Sequence, residues 1–140
     1  MGGGSALTEP RATYTLQSGI PRRFEVTVPG NPVPWERTGG SGKRRYKPKR
    51  TREYQEQVGW YVRFAWKGDP IPKDVPLGLT LRFFLEDLRL DADDWDNLGK
   101  TVCDAIEGIA FTNDGQFVDT HVSKRLDRDN PRVEILVEVL

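Results

Sequence analysis

Residues 77–85, LGLTLRFFL, place Leu77, Leu79, Leu81, Phe83 and Leu85 at every second position. Side chains of a strand alternate between two faces, so this spacing demands a strand with one apolar face that must be covered. Beyond Asp96 the period changes. Leu98, Val102, Ala105, Ile106 and Ile109 fall on one side of a helix over 96–109, and that side supplies a cover. The same pairing of periods occurs earlier in the chain. Phe24, Val26 and Val28 alternate in a strand over 24–28, and Tyr54, Val58, Tyr61, Val62 and Ala65 take helical spacing over 51–66. Two more strands are predicted, over 117–124 and 133–140, separated by the turn residues DRDNP. The order β-α-β-α-β-β implies an α/β (α+β) fold, a mixed sheet with helices packed on it. Phe84 faces away from the alternating set and would leave apolar bulk on the uncovered side of the sheet.

A chain of 140 residues suits one domain with a core of its own. That domain is placed at 21–140, behind a flexible leader over 1–20 that opens MGGGSALTEP. Within it, PGNPVPWERTGGSGKRRYKPKR is too rich in Pro and Gly for a regular element and reads as a long basic loop at about 30–50. Cys103 is the single cysteine, so no intrachain disulfide can form. No apolar run has the length of a membrane span, and no signal-peptide core opens the chain. These features lead us to expect a soluble cytoplasmic protein with no membrane partner.

The formal net charge of zero conceals a segregation. Arg37, Lys43, Arg44, Arg45, Lys47, Lys49, Arg50 and Arg52 crowd 37–52 without an acidic residue. Glu86, Asp87, Asp91, Asp93, Asp94 and Asp96 crowd 86–96 against Arg89 alone among bases. A cationic segment suits a polyanion, and an acidic cluster suits a metal cation. On the helical wheel Asp96, Lys100 and Asp104 stack at i, i+4 and i+8, opposite the apolar side, and Asp94 stands where the chain turns into the helix. Three readings remain open from spacing: a solvated loop with N-capping aspartates, an ion-pair ladder, or carboxylates converging on a cation. A calcium loop is excluded, since the glycine position counted from Asp91 holds Asp96 and the twelfth position counted from Asp94 holds Ala105. A phosphate loop at GGSGKR is excluded too. Arg37 takes the place of its first glycine and Arg44 that of its Ser or Thr. Asn113-Asp114-Gly115 is ordinary turn chemistry. His121 reads as a strand residue, Cys103 as a helix-flank residue without nucleophilic company, and the four tryptophans as core, with Trp35 and Trp95 in loops within reach of a ligand.

DWDNLGK, then DAIEG, then NDGQFV resembles the RusA family of Holliday junction resolvases. The matching positions are Asp94, Asp96, Asn97 and Lys100, then Asp104, Ala105 and Gly108, then Asp114 and Gln116. The alternative pair Asp91 and Asp93 lacks the following Asn and Lys, so the register beginning at Asp94 is taken. Asn113 stands where the family often has a further aspartate. The resemblance implies a homodimeric endonuclease, dependent on Mg2+ with Mn2+ able to substitute, that cuts four-way DNA junctions without an organic cofactor. It implies Asp94, Asp96 and Asp114 as metal ligands and catalytic carboxylates. Lys100 would meet the scissile phosphate or the attacking water, with Asn97 and Asp104 behind them. Arg37, Lys43, Arg44, Arg45, Lys47, Lys49 and Arg50 would hold backbone phosphates. The other classes left open are a non-catalytic, structure-selective DNA-binding protein and an interaction domain with a solvated acidic loop.

Overall fold

The structure is a computed structural model and describes residues 11–12, 23–35, 48–90 and 94–140. Its elements are β1 (Arg11–Ala12), β2 (Arg23–Pro29), α1 (Lys49–Ala65), β3 (Leu77–Leu85), α2 (Trp95–Ile106), β4 (Phe117–Leu126) and β5 (Arg132–Val139), with a 3-10 turn at Asp114–Gln116. From β2 onward this is the expected β-α-β-α-β-β order. Arg11–Ala12, inside the expected leader, pairs antiparallel with Phe24 and Glu25, and the rest of the leader lies outside the described residues.

The sheet runs β1-β2-β5-β3-β4. β5 lies antiparallel between β2 and β3, and β3 and β4 are parallel neighbours joined through α2. A parallel pair cannot be closed by a hairpin, so the β3–β4 connection needs a crossover, and α2 provides it. Both helices cover the same face. Phe24, Val26 and Val28 of β2, Leu77, Leu79, Leu81, Phe83 and Leu85 of β3, and Val133, Ile135 and Val137 of β5 are all buried beneath them. Leu98, Val102 and Ile106 are the side of α2 that reaches this layer, each fully buried. Burying a side chain of that size is worth about 1.5–3 kcal/mol, which outweighs the glycine at position 99 in mid-helix, whose cost is about 1 kcal/mol. α1 docks on α2 through Gln55, whose Nε2 donates to the Thr101 carbonyl at 3.0 Å in a buried contact.

Several expectations are corrected. α1 starts at Lys49 rather than 51, so Lys49 and Arg50 belong to a helix and not to the loop. Pro48 precedes the helix at φ −56°, close to the helical value, and so directs the chain into it. α2 ends at Ile106, three residues early, because Gly108 takes φ +87°, where the helix cannot continue. Of the tryptophans only Trp66 is core. It packs edge-on against Phe24 at 5.5 Å between centroids, while Trp60 and Trp95 are exposed. Trp95 opens α2 instead of lying in a loop, and Tyr61 sits on the rim of the α1 core face, 39% exposed.

Phe84 is not bare apolar surface. The Arg132 guanidinium lies 3.8 Å from its ring centroid and is held by Asp127 at 2.9 Å and Glu134 at 3.1 Å. Arg82 with Glu134 and Arg23 with Glu138 continue the polar cross-strand pairing on this helix-free face. Among the described residues no helix is long and apolar enough to cross a membrane.

Candidate active site

α2 is the ruler along which the site is laid out. Asp94 stands at its N-cap, φ −57° and ψ 139°, and its carbonyl accepts the Leu98 N–H at 3.0 Å. An aspartate here ordinarily turns its carboxylate onto the N–H groups of the first turn. Asp94 makes no such bond, and its side chain is exposed. Asp96 follows in the first turn, also exposed, and one of its oxygens accepts the Asn97 N–H at 3.0 Å. The positive end of the helix dipole favours carboxylates at both positions.

One turn further on, Lys100 lies with Nζ 3.7 Å from Asp104 Oδ2. The same ammonium is 5.2 Å from the centroid of the Trp35 ring, within cation–π range. Among the described residues no ion pair joins Lys100 to Asp96, so of the ladder that the spacing left open only the Lys100–Asp104 rung is made. Trp35 is itself fixed: its backbone N–H donates to the Asn97 carbonyl at 2.9 Å, and Thr101 Oγ1 donates to that carbonyl at 3.1 Å. Asn97 therefore works through its backbone, as the post on which the Trp35 segment is tied. Asn31 ties the other end of this segment, its Oδ1 accepting the Glu86 N–H at 2.9 Å.

Asp114 reaches the other end of α2. Burial, then the negative charges of Asp114, Asp104 and Glu107, push the half-buried Cys103 thiol up to about 12, with Lys100 opposing. The Asp114 carboxylate thus acts on the part of α2 that carries Cys103 and Asp104, and the raised pKa keeps the thiol protonated. The turn that presents Asp114 is bracketed by Gln116. Its Oε1 accepts the N–H groups of Thr112 and Asn113, both at 2.9 Å, and its Nε2 donates to the carbonyls of Pro72 at 2.7 Å and Val75 at 3.0 Å. Asn113 closes the turn from within, its Oδ1 accepting the Gly115 N–H at 2.7 Å.

These positions bear directly on a metal. The donors are carboxylate oxygens, the kind a hard divalent cation takes. Yet among the described residues no three His, Cys, Asp or Glu side chains come together as a ready metal site. The helix explains the spacing. Eight residues separate Asp96 from Asp104, about 12 Å of rise, and Asp114 belongs to the far end. Asp94 and Asp96 stand at the start of α2, and Asp114 and Asp104 both act on Cys103 nearer its end, with Lys100 between in sequence. Of the residues expected to meet phosphates, Lys49 and Arg50 occupy the first turn of α1, Lys49 at 3.9 Å from Glu53. Arg37, Lys43, Arg44, Arg45 and Lys47 lie outside the described residues. Sequence reasoning passed over Trp35 as a partner of Lys100 and Gln116 as the bracket of Asp114. Gln116 did carry a signal, a polar side chain two residues after the aspartate and just before an apolar strand.

The family model of endodeoxyribonuclease RusA matches residues 29–138, from the end of β2 almost to the end of β5. The chain belongs to the RusA endodeoxyribonuclease family, nucleases that act on branched DNA. No curated protein matches it significantly.

Proposed function

We propose that this protein is a divalent-metal-dependent endonuclease that resolves four-way DNA junctions by paired symmetric nicks. The observation that carries the reading is the pair of exposed carboxylates at the start of α2. Asp94 leaves the capping role its position offers, and Lys100 stands one turn beyond Asp96, braced by Trp35 and Asp104. Asp94, Asp96 and Asp114 would hold Mg2+, or Mn2+ in its place. Bound there, such an ion supplies Lewis-acid stabilisation of charge on the phosphate. Lys100 would donate to a phosphate oxygen as negative charge builds on it. Asp104 and the Trp35 ring keep that ammonium from swinging into solvent.

Lys49 and Arg50 set two cations on the first turn of a helix whose dipole disfavours them, a cost that contact with DNA phosphates would offset. Together with Arg37, Lys43, Arg44, Arg45 and Lys47 they would grip the backbone without reading sequence. A homodimer fits the two-fold symmetry of the junction. It also answers the split donor set, because a second copy could bring its own Asp114 to this chain's Asp94 and Asp96. β4 is an edge strand with Val118 and Leu126 exposed, a suitable surface for such a copy.

The test is a labelled synthetic junction incubated with and without Mg2+ or Mn2+. Symmetric nicks that require the metal are expected. A stable complex with no cleavage in either metal would make the protein a structure-selective binder. Mixing an Asp96→Asn copy with an Asp114→Asn copy then asks whether the site is shared. Recovery of nicking is expected from a shared site, and none from a site built within one chain.

A further inference from the structure

Outside the groups already assigned, α1 and α2 enclose a groove of about 520 Å3, lined by Arg52, Gly59, Trp60, Arg63, Asp104 and Ile109, among others. Resting on the nuclease reading above, we propose that this groove receives one unstacked nucleotide of the DNA strand next to the cut, its base lying on Trp60 and its phosphate against Arg63.

Five features of the groove support this. Trp60 is 73% exposed, on the side of α1 away from the buried Tyr54, Val58 and Val62, so the fold gains little from an indole there. Gly59 beside it costs helix stability of about 1 kcal/mol relative to alanine. Packing does not require that glycine, since a Cβ there would meet Ile109 Cδ1 at 3.7 Å and the Ala105 carbonyl at 3.8 Å, ordinary contacts. An indole left in water and a floor without a side chain both suit a flat occupant. The volume lies in the range of small-ligand sites. The chemistry of the lining bears on the occupant: it carries the Trp60 ring with Arg52 and Arg63, beside the carboxylates of Glu56 and Asp104; a π-face next to a guanidinium binds bases by stacking and phosphates by charge, whatever the sequence. A protein helix would want a wider apolar stripe than this lining offers. Position supplies the last argument. Asp104 lines the groove and also holds Lys100 at 3.7 Å, so the groove and the Lys100 brace share one side chain.

The experiment measures junction affinity without divalent metal for wild type, Trp60→Ala and Trp60→Phe. The junctions are intact or carry an abasic site placed, one at a time, at nucleotides flanking the cut. Trp60→Ala should bind the intact junction about tenfold more weakly, the usual scale of base–aromatic stacking, and Trp60→Phe should keep most of the affinity. At one flanking position the abasic site should weaken wild type by a similar factor and Trp60→Ala hardly further, because base and ring are the two halves of one contact. If wild type cuts the junction while Trp60→Ala binds as tightly as wild type, the groove proposal is overturned and the nuclease reading stands. Losses that multiply at every flanking position also overturn it. A Trp60→Ala variant with unchanged affinity but a lower mass in light scattering would make the groove a protein interface instead. Wild type that neither binds nor cuts the junction would remove both readings together.

Discussion

Gln116→Leu isolates the bracket that presents Asp114. The leucine has similar bulk in a site where Gln116 is 5% exposed, but it can neither accept nor donate. Four hydrogen bonds are lost, two from the N–H groups of Thr112 and Asn113 and two to the carbonyls of Pro72 and Val75. A net hydrogen bond contributes about 1 kcal/mol, so the gross loss is about 4 kcal/mol. Some of it returns. Thr112 and Asn113 lie at the surface, where water can satisfy their N–H groups, and the Pro72 carbonyl keeps the Val75 N–H at 3.1 Å. About 2–3 kcal/mol should remain, and for a chain of this length the Tm should fall on the order of 10 °C. The same change unpins the turn, so nicking at 25 °C should drop by more than the folded fraction does. The assays are thermal unfolding followed by circular dichroism and junction cleavage at matched folded concentration. A Tm within about 3 °C of wild type would show that water replaces the bracket, and the reasoning would fail. A lowered Tm with full cleavage per folded molecule would keep the bracket but detach it from Asp114.

Asp94→Asn, Asp96→Asn and Asp114→Asn should each abolish metal-dependent nicking while junction binding persists, as read by gel shift; near-normal cleavage by any one removes that residue from the site. Lys100→Ala should lose about 2.7–4 kcal/mol of transition-state stabilisation in single-turnover kinetics, with little change in metal affinity. Trp35→Ala should reduce the rate by a smaller factor, because Asp104 still braces the ammonium, and a Trp35 loss equal to that of Lys100 would mean that the ring does more than hold the lysine. Stability should fall as pH rises from about 9 towards 12, since the unfolded Cys103 thiol ionises there while the folded one keeps its proton. The slope from this group is at most about 1.4 kcal/mol per pH unit. Cys103→Ala should flatten the urea midpoint against pH but not level it, because burial raises the Tyr54 phenol as well.

The fold was legible where one period ran uninterrupted. Alternation placed Phe24, Val26 and Val28, and Leu77 to Leu85, on the covered face, and each of those alternating residues is buried. It failed where a single residue overrides the pattern. Gly108 stops α2 although Ile109 keeps the apolar spacing, and Pro48 starts α1 among residues read as loop. The tryptophans were misjudged because residue type was read without position. Trp60 is apolar but sits off the Tyr54–Val58–Val62 line, so the wheel alone would have placed it outside. Which residues surround Asp94, Lys100 and Asp114 was less legible, since it depends on contacts remote in sequence. Trp35 meets Lys100 only because its backbone is tied to Asn97, and Gln116 braces its turn against Pro72 and Val75, more than forty positions away.

The distribution of charge along α2 connects these points. Spacing in the sequence suggested one acidic locus, because Asp96, Lys100 and Asp104 share a helix side and Asp94 stands at the turn into the helix. A helix preserves the side but not the distance, and Asp104 ends about 12 Å up the axis from Asp96. Asp114 arrives at that upper end because the β3–α2–β4 crossover returns the chain to the start of β4, beside the end of α2. Each chain thus carries an acidic group at either end of α2 with a braced lysine between them. Carboxylates so spaced repel one another less than three gathered at one point would. If the site is shared between two copies as proposed, they would form one donor set only when a cation, the DNA and a second copy arrive together. A nuclease assembled in that order would hold its cutting site incomplete until it was seated on its substrate.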